Sequence, residues 1–504
     1  MLARHFVESR DLARGLKYSL LAAEQASRVF AHDDALRHYE RARVCAEAQN
    51  SRDHLVLIDE AVGDVNHLRG QLQQAIGSYE RAVAQATTQA RRAALKLKIG
   101  ETYSASADLR GLPILMAAAD ELDKETQPHE LALATAYIGR YHHYAGRHAK
   151  AIEWLERARE LAEPLGRPVT LWQIYGYLAG AQMLLGRYQH AMEWARRCLE
   201  MGERGDHPLA VALGYEWLAE SLNGLGRWEE SLAFSARSYE VSKRIGADHR
   251  MAWAHHNTAR ALYGRGNLIE AAASAQAGLA VVESTGESRI RGYILDLLSF
   301  IEVDMGQEDA AEAHVRAVEQ RQAHALPLMS IRSSPGYASM QRGEWQQAGE
   351  YFDRMRKLLA ETDSVLVRFW IDYLAAEVAV RLGRPEDALD IVVPALALAR
   401  EVGTRHYEGT ARRVQAQALA SLRRWDEAIE AFNNAAAILE ANASRLELGR
   451  AIFHRGLMQQ ARGDADTARA DLTRANQIFE STGARRDREW AAQALLAVST
   501  TAAK

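Results

Sequence analysis

The residues best suited to chemistry are two groups of histidines, Tyr141-His142-His143 with His148, and His255-His256. Clustered imidazoles are common ligands of zinc and related metals. Adjacent positions on a helix, however, point about 100° apart, so one ring of each pair faces away from the other. Neither group is completed by HExxH or CxxC, and no serine sits on a strand–turn–helix elbow. Carboxylate pairs such as Glu229-Glu230 fall at the starts of helical segments, where the helix dipole favours them without acid–base work. Gly264-Arg265-Gly266 lacks the preceding strand of a dinucleotide fingerprint and reads as a turn. Cys45 and Cys198 are far apart and read as buried free thiols rather than a disulfide. These residues predict structural or solvent roles, with no metal, no cofactor and no catalysis.

The elements that must position them are set by a period. Gly186, Gly226, Gly266 and Gly306 are 40 residues apart, and five residues beyond each comes a small side chain, Ala191, Ser231, Ala271 and Ala311. A repeat of this size marks a solenoid, in which one unit buries its apolar face only against its neighbours. A second series, Gly166, Gly205, Gly246, Gly286, Gly403 and Gly483, follows the turn residues by 19 or 20 positions. A glycine just past a helix end adopts a left-handed conformation and closes free carbonyls. Each unit is therefore helix, tight turn, helix, short connection. Twelve hairpins are expected, centred near 30, 70, 107, 146, 186, 226, 266, 306, 343, 383, 423 and 463. A final helix over 487–498 covers the last apolar face.

Departures from the period are informative. Residues 1–29 form a helical lead-in in which Asp11 caps a helix. The third turn falls at Ala107-Asp108, with Pro113 early in the next helix, where a missing amide costs little. Between Gly306 and Gly343, Pro327 and Ser333-Ser334-Pro335-Gly336 should break a first helix. That would bend the superhelix or widen its groove, unless the unit is simply a tolerated irregular repeat. Hydrophobic residues make up 48% of the 504-residue chain and charged ones 25%, as in a soluble folded protein. The net charge of −4 argues against nucleic acid as partner, and Arg91-Arg92, Arg412-Arg413 and Arg485-Arg486 read as solvated helix faces. No apolar run is long enough to span a membrane, and no secretion signal is apparent, so a cytoplasmic location is expected.

The segments AGRHAKAIEWLERA, LGRWEESLAFSARS and RRWDEAIEAFNNA resemble tetratricopeptide (TPR) repeats. The family's small residue after the turn matches Ala151, Ser231 and Ala428, its next large position matches Leu155, Ser235 and Phe432 less evenly, and its second small position matches Ala158, Ser238 and Ala435. Ile138-Gly139 fits the leucine–glycine pair of the preceding helix, whereas Leu178-Ala179 and Leu218-Ala219 have alanine for glycine. The period exceeds the family's usual ~34 residues. The resemblance covers residues 30–483 and implies an all-α, right-handed superhelical solenoid of about twelve antiparallel helix hairpins, closed by a capping helix and tail over 484–504. The first 41 or so residues also resemble the lead-in to the C-terminal TPR region of large bacterial signal-transduction ATPases (STAND, cyclase-linked or LuxR-type regulators). That likeness implies a sensor or scaffold array, either a fragment of such a protein or a free-standing relative, that relays binding to an attached or partner ATPase or effector.

In that family the first helix of each pair lines the concave face. Counting 13, 10, 6 and 3 positions back from each turn residue selects one stripe of that helix. It reads Leu213, Glu216, Glu220 and Asn223; then Trp253, His256, Arg260 and Tyr263; then Tyr293, Asp296, Phe300 and Val303; then Tyr337 and Met340; then Trp370, Tyr373, Glu377 and Val380; then Arg413 and Gln417. Aromatics beside charges suit the anchoring of a protein or peptide, with Arg260 or Arg413 pairing a carboxylate. The competing possibility is that the helix phase is wrong and these aromatics are core. The alternative function is the sensing of a small ligand, which a closed concave pocket with convergent polar groups would favour.

Overall fold

In the computed structural model, twenty-five α-helices carry the described chain, and no strand occurs among the described residues. Those residues are 6, 9, 11–105, 108–166, 168–285, 288–319 and 331–501. The expected architecture is the one observed, a right-handed TPR-like solenoid of antiparallel hairpins. Eleven of the twelve expected turn residues, from Phe30 to Gly463, have φ between +57° and +96°. The twelfth, Ala107, lies outside the described residues, as do Gly286 and Pro327. Asp11 caps its helix as expected, its carboxylate accepting from the Arg14 amide at 3.1 Å.

One expectation needs correcting. Gly205 has φ −92°, and the left-handed residue is its neighbour Asp206, at φ +47°. Elsewhere that residue lies 20 positions after the turn, as in Gly146–Gly166, Gly226–Gly246, Gly383–Gly403, Arg423–Ala443 and Gly463–Gly483. The length of the stacked outer helix sets the count, so Gly205, at 19, falls on the cap instead. Aspartate tolerates the left-handed region better than most side chains.

Small residues of the outer helices allow this stacking. Ala151, Leu155 and Ala158 are fully buried. Where serine replaces alanine, its hydroxyl is satisfied by the preceding helix: Ser231 donates to the Ala219 carbonyl at 2.9 Å and Ser238 to that of Ala212 at 3.0 Å.

The superhelix is wound so tightly that successive turns touch along a seam. The Asp363 amide donates to the Gly146 carbonyl at 2.8 Å. Its carboxylate accepts from the His148 and Ala149 amides at 2.7 and 2.8 Å, capping helix His148–Ala162 from the next superhelical turn. The same register recurs where the Trp228 indole donates to the Asn442 carbonyl at 2.9 Å and where His32 meets the Ile245 carbonyl at 3.3 Å. These three contacts join residues 213 to 215 apart. Near them the Thr404 hydroxyl donates to the Gly224 carbonyl at 2.6 Å.

Two glycines separate turn geometry from the seam. Gly226 and Gly383 have nearly equal φ, +75° and +73°, yet a Cβ at Gly226 would lie 2.6 Å from Asn442 Nδ2 while one at Gly383 meets nothing within 4 Å. Gly383→Ala should cost about 1–2 kcal/mol from its left-handed φ alone. Gly226→Ala should cost clearly more, because it also wedges the seam. Thermal melting of the two variants side by side checks this; equal losses would mean that the seam adds nothing.

Candidate ligand site in the superhelix lumen

A cavity of about 160 Å³ lies inside the superhelix. Its lining comes from the inner helices Pro128–Tyr144, Pro168–Leu184, Pro208–Leu225, Asp248–Arg265 and Ser288–Asp304, and from Val365–Arg381 of the following superhelical turn. Three of these begin with proline, whose missing amide is not needed at a helix start. The irregular unit completes the wall. Its inner helix, Ser334–Gln341, has only eight residues against the 17 or 18 of its neighbours, with Pro335 in its first turn. Residues 331–333 are consequently non-helical, and all three line the cavity.

Eight of the candidate residues converge here: Glu220, Trp253, His256, Arg260, Tyr293, Asp296, Phe300 and Trp370. The aromatic rings form a connected lining, with centroids 5.6 Å apart for Trp253–Tyr293 and 5.5 Å for Phe300–Trp370. Asp296 is not available to a ligand in the way expected. It accepts from the Ser333 and Ser334 amides at 3.3 and 3.0 Å, because the truncated helix has an exposed amide end to satisfy. His256 is 5% exposed, and burial with Arg260 nearby holds it neutral. Nδ1 of His256 and the indole Nε1–H of Trp217 are buried without a partner. His143 and Met183 also line the cavity. Both lie three positions before their turn glycines, so the stripe count would have found them had it been carried to the Gly146 and Gly186 units.

Four more candidates, Tyr337, Tyr373, Glu377 and Arg413, surround a void of only about 30 Å³. This is a sealed charge network rather than a groove. Arg413 is 1% exposed; it donates to both Glu377 oxygens at 3.0 Å and to Glu447 at 2.9 Å, so it has no donor geometry left to clamp a ligand carboxylate. Arg450 donates to Asp304 at 2.6 Å, to Asp487 at 2.9 Å, to Glu447 at 2.9 Å and to the Tyr337 oxygen at 2.8 Å. The Tyr263 hydroxyl donates to Asp304 at 2.9 Å. Arg413 holds Glu377 down to about 2 despite burial, while burial and nearby Asp487 push Asp304 up to about 6 against the pull of Arg450. Arg450 lies 13 positions before Gly463 and was reachable by the same count. Asp304, Glu447 and Asp487 are off that stripe, and nothing in the period points to them.

The remaining candidates brace the array. Glu216, 3% exposed, accepts from Arg250 at 2.8 Å; Asn223 donates to the Asn257 carbonyl at 3.0 Å; Gln417 is buried against the inner layer. Of the histidine groups, His143 packs on His148 with centroids 5.0 Å apart, and His255 packs on Tyr239. No three His, Cys, Asp or Glu side chains are placed to share a metal among the described residues. Cys45 and Cys198 are buried and free. No described helix is long and apolar enough to cross a membrane.

The fold and the lumen define a tetratricopeptide-type solenoid. The tetratricopeptide repeat family model matches residues 209–284 and 367–441. Among solved structures, the APC/C hetero-tetramer Cut9–Hcn1 is similar over 94% of this chain and 96% of that one, at 12% identity and a TM-score of 0.52. The Rap protein complexed with competence and sporulation factor aligns over 85% of this chain and 98% of that one, at 12% identity and a TM-score of 0.42. No curated protein sequence matches the chain.

Two predictions follow from the buried charges. Arg413→Met strands Glu377 without its arginine and leaves Glu447 to Arg450 alone, and removal of one partner from a buried ion pair costs about 3–5 kcal/mol. Denaturant unfolding should show a loss of that order, whereas a ligand-clamping arginine would leave stability nearly unchanged. His148 is fully buried, and burial lowers it to about 4 although Asp363 pulls the other way. Its folded pKa lies below the unfolded 6.5, so the unfolded state takes up the proton first. Stability from this site is complete above pH 6.5 and is lost on acidification towards pH 4, at up to about 1.4 kcal/mol per pH unit. The fall in Tm from pH 7 to pH 5 should therefore be smaller in His148→Gln than in the parent.

Proposed function

We propose that the protein is a non-catalytic receptor whose lumenal cavity takes a small ligand with an apolar body. The observation that carries this reading is the enclosure of the aromatic pocket: Val365–Arg381 of one superhelical turn closes a space ringed by helices of the turn before it. A concave, mostly apolar pocket with a few fixed polar groups is the usual form of a small-molecule site. The groove expected to take an extended protein or peptide is instead interrupted by the charge network around Arg413 and Arg450. In this reading the array is the sensing part of a regulator, and ligand occupancy is what it passes to an ATPase or effector.

The test uses a neutral probe of the cavity's size. A void of about 150 Å³ holds one aromatic ring. Indole at millimolar concentration should raise the Tm of the parent by mass action. Leu297→Phe, which extends a lining side chain into the space, should remove that shift while the protein stays folded by circular dichroism. A shift that survives in Leu297→Phe, or no shift in the parent, would defeat the reading.

A further inference from the structure

The lumen treats its arginines in two ways. Arg413 and Arg450 are each matched by at least two carboxylates. Arg140 is bonded to the hydroxyls of Tyr144 and Tyr177, each at 3.0 Å. Arg260 and Arg332, which face the cavity, make no ion pair among the described residues. Arg260 approaches the Tyr407 hydroxyl; Arg332 donates to its neighbouring Ile331 carbonyl at 2.8 Å and lies over the Tyr293 ring at 5.0 Å. The carboxylates that share the cavity do not answer them: Asp296 is held by the Ser333 and Ser334 amides, and Glu220 is engaged within the protein. The unpartnered polar atoms here are the Trp217 indole N–H and Nδ1 of His256, a ring 95% buried from its 5% exposure. A partly buried guanidinium with no carboxylate in direct contact, in a cavity that also holds an indole donor without an acceptor, is costly unless an anion reaches them.

We infer that the cavity's ligand is an anion, an apolar and preferably aromatic body ending in one carboxylate, with the ring among Trp253, Phe300 and Trp370 and the carboxylate on Arg260. This rests on the receptor reading above, but concerns the charge of the ligand rather than its existence. The carboxylate belongs either to a free small acid or to the end of a short chain. Arg332 and the Trp217 N–H are further donors lining the same cavity. Charge-assisted contacts of this kind are the stronger hydrogen bonds, and arginine suits the planar carboxylate.

Calorimetric titration of the intact protein with indole-3-propionate, indole-3-propionamide and a glycine tetrapeptide ending in tryptophan with a free carboxyl tests it. The acid should bind about tenfold or more tightly than the amide. Arg260→Gln should erase that preference, so that acid and amide bind the variant about equally; Arg332→Gln should weaken the acid less. Equal affinities for acid and amide would overturn the inference and leave the small-ligand reading standing. Binding of the tetrapeptide alone, lost in Arg260→Gln, would uphold the anion site and defeat the small-ligand reading. Absence of binding by all three, or an acid preference surviving in both arginine variants, would overturn the inference. Melting curves of the two variants establish that they are folded, and if Arg260→Gln is not, Arg260→Lys, which keeps the charge but not the fork, should retain part of the preference.

Discussion

The contact on which the rest depends is the seam between successive turns of the superhelix. A solenoid with an open pitch would leave its inner face wet and its groove continuous. Here the loop at Gly146 accepts from Asp363, the Asp363 carboxylate caps the helix that starts at His148, and Trp228 reaches Asn442. None of these bonds joins neighbouring repeats; each joins residues more than 200 positions apart. The free amide end of a helix is an anchor for an acidic side chain, and here that anchor is supplied by another superhelical turn. Closure of the pitch is what turns a groove into a lumen and brings Val365–Arg381 across the cavity.

The same closure explains how far the sequence was legible. Hairpin number and turn positions followed from a 40-residue period because each hairpin is positioned by its nearest neighbours, and the local signal is complete. Of the inner stripe, Trp253, His256, Arg260 and Tyr293 line the cavity. Phase and burial are separate questions, however. Glu216, Asn223 and Arg413 lie on that stripe and are buried all the same, bonded to Arg250, to Asn257 and to Glu377 with Glu447 of the adjoining inner helices. No periodicity within one unit encodes a contact to a residue five units on. The charges were ambiguous even between neighbouring units: an arginine beside aromatics reads alike whether its carboxylate comes from a ligand or from Glu377 and Glu447 of the adjoining inner helices.

The irregular unit between Gly306 and Gly343 is the point at which a local defect becomes a feature of the site. Pro335 sets the start of an eight-residue helix, leaving Ile331, Arg332 and Ser333 outside regular structure. A full inner helix would place its backbone bonds inward on itself and present a regular face. The shortened one instead offers free amides to Asp296 and lets Arg332 lie over Tyr293. Gly292 belongs to the same arrangement, since a Cβ there would come 2.8 Å from Arg332 Nη2. The short helix and the cavity beside it are the form this irregularity takes among the described residues.

Seam and cavity are mechanically one object. Leu366, Val367 and Trp370 line the cavity from helix Val365–Arg381, and that helix follows directly on Asp363, the residue that caps His148 across the seam. His143, at the other end of the same capped turn, lines the cavity as well. Anything bound in the lumen would therefore meet both superhelical turns at once, and it would lose its contacts to Val365–Arg381 if they part. A ligand shifts a conformational equilibrium only by its difference in affinity for the two states, and this geometry provides such a difference without any moving part inside the pocket. Near the far end, Tyr263 stacks towards Trp370 and shares Asp304 with Tyr337 and Arg450, so aromatic packing runs from the cavity wall into the charge network that ties the C-terminal helix to the inner layer. A ligand in the proposed site and the closed superhelix would stabilise one another through these contacts, as a solenoid that senses its contents requires.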